Sequence, residues 1–203
     1  MKFFITTISI SVLLTGCFTM HPSTHEYTIL PSYIPSKQVT QSVNATLKLS
    51  STRSITSLAS TQFYYLKGTS TIGAYVYSRW ADTPSAMIDR AVYSSLQNQE
   101  LFSTLVSSTS NVTADLLLES DLNAFYHRFH DDSTSEGFID ITYRLINPKT
   151  KTTIATKRFI IIEPSPSKDA KGGVIALNQA THELSNQCIA WLNTSIKDST
   201  WKK

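Results

Sequence analysis

Two stretches of alternating polarity in the second half of the chain, with a third long strand after them, constrain its fold more than any other feature. Along 116–128 one parity carries Leu116, Leu118, Leu122, Ala124 and Tyr126, and the other carries Glu119, Asp121, Asn123 and His127. Successive side chains of a strand point to opposite faces, so this pattern predicts a strand with one apolar and one wet face. Ile139, Ile141, Tyr143 and Leu145 alternate in the same way with Asp140, Thr142 and Arg144, and 154–162 reads as a third long strand. Polar turns at 131–137 and 147–150 separate the three, and Pro164 and Pro166 stop the last. Strands joined this closely, with one wet face, predict an antiparallel sheet covered on one side only.

Two helices supply the cover. Thr83 followed by Pro84 is a start signal, because the hydroxyl accepts an orphan N–H and proline has none to satisfy. Ile88, Val92 and Leu96 recur at helical spacing, Met87 and Ala91 widen the stripe, and the helix is expected to end near Asn98 with Leu101 and Phe102 closing its apolar side. After a loop at 168–173, Leu177, Thr181, Leu184, Cys188, Trp191 and Leu192 form a second, longer stripe reaching Ile196. Earlier strands are expected at 27–30, 45–51, 63–67 and 74–80, the last two as a hairpin around Gly68 and Gly73. No βαβ rhythm appears. The predicted class is α+β: a single antiparallel-rich sheet with two main helices packed on one face.

The N-terminus has a different character. Lys2 precedes an apolar run at 3–14, and small residues lead to Leu14-Thr15-Gly16-Cys17. That is the order of a secretory signal, and its cysteine makes it resemble the lipobox of bacterial lipoproteins. An ordinary signal with an incidental cysteine, or an uncleaved anchor, are the alternatives. The run is shorter than the roughly 20 apolar residues a span needs, and Thr6, Thr7, Ser9 and Ser11 interrupt it. The lipobox resemblance implies that Cys17 receives a diacylglycerol, that the chain is cut before it, and that the new amino end is acylated, with palmitate among the acyl chains. Two or more acyl chains hold stably where one holds reversibly. Phe18 stands where many Gram-negative lipoproteins carry an inner-membrane retention Asp, which favours the periplasmic face of the outer membrane. The expected organisation is a signal at 1–16, lipidated Cys17 and tether at 17–26, one domain at 27–197, and a polar tail at 198–203.

Composition narrows the function. The formal net charge is +3, and loss of Lys2 with the signal leaves +2. No Lys or Arg stripe suited to a phosphate backbone is present, so nucleic acid is not an expected partner. Ser and Thr make up about a quarter of the chain, but with 41% hydrophobic residues it has a core to form. If Cys17 is lipidated, Cys188 has no disulfide partner in the chain and is expected to be a buried thiol.

The motifs of catalysis are missing. There is no Gly-x-Ser-x-Gly elbow and no Gly-x-x-x-x-Gly-Lys loop. His127 and His130 would leave a strand on opposite faces, poor geometry for a metal, so the 127–132 cluster reads as a solvated strand end. No cofactor, metal or catalytic residue is expected, and the chain is not predicted to be an enzyme. Arg79 and Trp80 are the candidate partner interface, with core packing of Trp80 as the competing reading. The wet face of the sheet around Phe125 is a second candidate surface.

Taken in order, these segments resemble the ABC-type transport auxiliary lipoproteins. The resemblance runs from the lipobox through Tyr27-Thr28-Ile29-Leu30, the block 75–84 with Arg79-Trp80 and its Pro84-started helix, and 114–119 leading to Phe125. It continues through Arg158-Phe159 and a final helix opening at 174–180 and ending near Trp191-Leu192. Residues 52–61, rich in Ser and Thr, depart from the Pro- and Leu-containing segment of many members, which leaves the sheet edge open. The resemblance implies a non-catalytic outer-membrane lipoprotein. It would work by tethering and assembly beside an MCE-domain protein and an ABC permease that move phospholipid or other apolar molecules between the two membranes. Homo-oligomerisation is among the associations it allows. Outer-membrane biogenesis, cell-wall assembly and lipid carriage are the alternatives. Cys17→Ser should leave an unlipidated precursor of higher mass; acyl chains still present on that variant by mass spectrometry would contradict the lipobox.

Overall fold

The strand Leu116–Phe129 is the spine of the molecule. The computed structural model describes residues 23–31, 42–130 and 133–197; the signal, Cys17 and the tail from 198 lie outside the described residues. In chain order the strands are β1 (His25–Tyr27), β2 (Val43–Leu49), β3 (Arg53–Ser54), β4 (Gln62–Lys67), β5 (Thr71–Trp80), β6 (Phe102–Val106), β7 (Leu116–Phe129), β8 (Ser135–Asn147) and β9 (Thr152–Pro164). Helix α1 (Pro84–Gln99) lies between β5 and β6, and α2 (Ala170–Lys197) closes the described chain.

On one edge β7 pairs antiparallel with β8 from Leu117↔Ile146 to Phe129↔Ser135, and β8 pairs antiparallel with β9. On its other edge three strands follow in series, all parallel to it. β2 lies beside residues 116–118, β3 beside Asp121 and Leu122, and β4 beside residues 127–129. β4 and β5 form the expected hairpin, while β1 joins β5, and β6 joins β2, in parallel. The fold is α+β, and its sheet is mixed. Hairpin turns produce the antiparallel pairs, whereas the chain reaches β7 from β2, β3 and β4 by way of α1, and a return of that length permits parallel pairing.

Four boundaries differ from expectation. The first strand begins at His25, inside the segment assigned to the tether. Residues 52–61 hold β3 and a 3-10 turn that buries Leu58. Leu101 and Phe102 are buried in the core with α1, but beyond Glu100, which ends the helix in the left-handed conformation, φ 49°, Phe102 also opens a strand, β6. Finally, α2 starts at Ala170, because the Asp169 carboxylate accepts the Gly172 N–H at 2.8 Å and so caps what had read as loop.

The largest correction lies within β7. Its register with β8 shifts between Leu122 and Ala124, a bulge that leaves Asn123 exposed. A bulge inserts one residue and exchanges the faces of everything beyond it. Leu116, Leu118 and Leu122 therefore face α2 as expected, but beyond the bulge Phe125 and His127 take that face, and Ala124 and Tyr126 pass to the other. Phe125 is 1% exposed, so it offers no surface, and His127 is fully buried rather than solvated.

The helices meet the sheet closely enough to require glycine. A Cβ on Gly137 of β8 would stand 2.7 Å from the Ala176 carbonyl carbon, and one on Gly173 would stand 2.6 Å from the His127 ring. Ala176, Leu177, Ala180, Leu184, Cys188 and Leu192 of α2 are fully buried in a core with Ile139, Ile141, Tyr143, Leu145, Phe159 and Ile161. α1 packs against α2 and adds Met87, Ile88, Ala91, Val92 and Leu96. It is pinned by Asp89, which accepts from Thr52 N at 3.0 Å, while the Thr52 hydroxyl also bonds Asp89 and contacts Ser120 of β7. Gly137→Ala should destabilise the fold by about 2 kcal/mol or more, since helix backbone cannot yield as a side-chain tip can. A urea midpoint that stays at the wild-type value would contradict this close packing.

Candidate functional site

Arg79 and Trp80 end β5, and alternation along the strand separates their fates. Trp80 is 1% exposed. Its indole lies 4.5 Å from the Phe63 ring and 5.5 Å from that of Phe125, centroid to centroid. It is core, as the competing reading had it, and not an exposed interface residue: the bulge at Asn123 turns Phe125 toward it and completes the aromatic packing. Its Nε1 has no hydrogen-bond partner among the described residues. Arg79 remains about half exposed and donates through Nε and Nη2 to Glu26 Oε1, directly opposite it on β1. The pair fastens the entering chain to the sheet edge. Exposed ion pairs contribute at most about 1 kcal/mol, so Arg79 is a positioning contact that leaves part of its guanidinium to solvent.

The buried face of the β5–β4–β7 corner carries a run of rings. From Trp80 it passes to Phe63, then to Tyr75 at 4.8 Å, to His127 at 6.2 Å and to Phe129 at 4.4 Å. Tyr75 Oη and His127 Nδ1 are 2.7 Å apart. Burial pushes the Tyr75 phenol well above its ordinary value, so it keeps its proton. His127 Nε2 is buried with no hydrogen-bond partner among the described residues. Burial lowers the imidazole to about 4, against a smaller opposing pull from Asp169, whose carboxylate is itself engaged by Gly172 N–H and the Ser167 hydroxyl. A histidine with no route to solvent under α2 holds a structural position. His130, three residues on, pairs with Glu136 at 3.0 Å; among the described residues no group of His, Cys, Asp and Glu could hold a metal ion.

Cys188 is fully buried, and burial pushes its thiol up to about 12, which leaves it protonated and unreactive. Recesses on the surface of the described residues include two beside β2. One of about 400 Å³ lies between α1 and β2, lined by Leu49, Asp89, Arg90 and Tyr93 with Pro31 and Ser107. The other, about 580 Å³, is lined by Lys48, Ser51, Val112, Leu117 and Lys149. The alternation rule missed His127 and Tyr75. The apolar doublet Phe125-Tyr126, breaking parity after Asn123, was the one available signal.

His127 sets a pH dependence whose sign follows from linkage. The unfolded imidazole, near 6.5, binds a proton before the folded one at about 4, so stability is full above pH 6.5 and falls as pH drops toward 4. The loss is about 3 kcal/mol at about 1.36 kcal/mol per unit. His127→Gln should be less stable at pH 7 yet flatter between pH 6.5 and 4 in urea titrations. A variant with the wild-type slope would remove His127 from that role.

The fold has known counterparts. Protein XCC0632 from Xanthomonas campestris superposes with a TM-score of 0.78 at 15% identity, covering 86% of this chain and 97% of its own. An uncharacterised protein gives 0.65 at 13% identity, over 84% of this chain and 99% of its own. The hypothetical protein CT253 from Chlamydia trachomatis gives 0.53 at 9%, over 76% and 98%. At these identities the likeness is one of fold. No curated protein matches the sequence significantly. A sequence model of the ABC-type transport auxiliary lipoprotein component matches residues 27–189, from the end of β1 to the last turns of α2. The chain therefore belongs to the ABC-type transport auxiliary lipoprotein family.

Proposed function

We propose that this protein is a non-catalytic lipoprotein of the outer membrane, facing the periplasm. It would be held there by acyl chains on Cys17 and act as the accessory of an ABC transporter with an MCE-domain protein. The cargo in this reading is phospholipid or another apolar molecule, and the work done is tethering and assembly. The family match over 27–189 carries the proposal. The polar groups of the described residues support it. Their clusters are spent on holding elements together: Asp89 to Thr52, Arg158 to Asp140, Arg53 and Arg144 to Asp121. The lipobox order at 14–17 supports the anchor, and Arg79 is the exposed cation beside the entering chain that a partner would meet.

A second reading, carriage of lipid by the domain itself, rests on the recess at Leu49 and Tyr93. At about 400 Å³ it is at the small end for ligand sites and suits part of one acyl chain. Affinity capture of the acylated protein from detergent-solubilised membranes separates these readings. Tethering predicts recovery of an MCE-domain protein or an ABC permease, whereas carriage predicts phospholipid extractable from the purified protein without either. Repeated capture of a β-barrel assembly component or a cell-wall synthase would contradict both.

A further inference from the structure

β1 covers only the end of β5. Its three residues pair with Ser78, Arg79 and Trp80, so among the described residues the outer edge of β5 from Thr71 to Tyr77 has no strand beside it. Open edges are normally blunted by charge or proline. Residues 72–77 carry neither, and read Ile-Gly-Ala-Tyr-Val-Tyr. Val76 is 79% exposed, Tyr77 54% and Ile72 48%. The whole β4–β5 hairpin, 62–80, contains Lys67 and Arg79 and no acidic residue. The side chain of Lys67, opposite Thr71 at the hairpin end, lies over the Tyr65 and Phe129 rings.

The direction of β1 gives this edge its meaning. Because β1 runs parallel to β5 with His25 opposite Ser78, the chain before His25 approaches from the side of Tyr77 and Val76. Ser23 is the first described residue, and five residues separate it from Cys17. Six Cα steps reach at most about 20 Å. A domain of this size is about 40 Å across by the usual scaling of radius with length. The chain from Ser23 to Thr24 and back to Phe18 also has no acidic residue. If Cys17 is acylated, a leash of that length keeps the bilayer within about 20 Å of Ser23 and so within reach of the open stretch of β5.

We propose that the open edge of β5, through Val76 and Tyr77, rests in the headgroup–acyl boundary of the bilayer that holds Cys17, with Lys67 among the lipid phosphates. Tyrosine suits that boundary because its ring is apolar and its hydroxyl wet. The contact turns a point anchor into an oriented one. It fixes which faces of the domain look into the periplasm. This inference rests on Cys17 being acylated.

The test uses full-length acylated protein carrying Val76→Cys, purified from membranes and labelled with a nitrobenzoxadiazole fluorophore. Cys188 is buried and unreactive, and an acylated Cys17 has no free thiol, so the label goes to position 76. The protein is reconstituted in phosphatidylethanolamine–phosphatidylglycerol vesicles containing doxyl-labelled lipid. Emission from position 76 should be quenched about twofold, and emission from a Val112→Cys control, at the far side of the sheet, should be unchanged. Unquenched emission at 76 from protein whose Cys17 carries acyl chains by mass spectrometry overturns the inference and leaves the anchor standing. A blue shift at 76 without quenching assigns the edge to a second copy of the chain and likewise overturns it. Absence of acyl chains on Cys17 overturns the anchor and this inference with it.

Discussion

Pairing on both edges of β7 is the constraint on which the rest of the molecule depends. A central strand is flanked by partners on both edges, and β7 achieves this with one long neighbour on one side and three short ones spaced along the other. β2, β3 and β4 are each too brief to make a stable sheet alone. Hung on one strand, they are brought into a common plane, and β6, β5 and β1 extend that plane outward. The bulge at Asn123 divides the spine in two. Before it, β7 offers leucines to the helical layer; beyond it, Phe125 and His127. The single core thus has an aliphatic half beneath α2 and an aromatic half gathered around Trp80, Phe63 and Tyr75.

The face away from α2 is organised by charge in register. Asp121 of β7 receives Arg53 from β3 on one side and Arg144 from β8 on the other, and the two guanidinium groups lower its carboxyl to about 2. Asp140 of β8, nearly buried, is held in bidentate fashion by Arg158 of β9, with N–O distances of 2.8 and 2.6 Å. Single surface pairs contribute little, but pairs laid across successive strands favour one register over its neighbours. The wet face therefore helps to keep long strands from slipping, and its polar groups serve cohesion. What such a domain does is not dictated by its fold alone.

Much of this was legible in the sequence, and the misses share a cause. Helix α1 was readable because Thr83, Pro84 and the Ile88–Val92–Leu96 stripe are local signals, each acting within a few residues. The β8 alternation and the long β9 run were readable for the same reason. β3 and β6 were not: two and five residues long, they exist because β7 and β2 offer edges to pair with. The start of α2 was hidden by Gly172 and Gly173, which read as loop until His127 is seen to lie against Gly173. Trp80, readable either as interface or as core, became core through contacts with residues 17 and 45 positions away.

By itself the sequence determined the class of fold, the two helices, the long strands and the lipobox-like order that marks Cys17, because periodicity, caps and signal segments are written in neighbouring residues. Tertiary structure alone decided the mixed pairing of the sheet, the change of face after Asn123, the burial of Phe125, His127 and Trp80, and the open edge of β5 beside the entering chain. Those features depend on which distant strand occupies each edge of β7. Pairing of that kind is settled by the whole sheet closing at once, and no local window contains it.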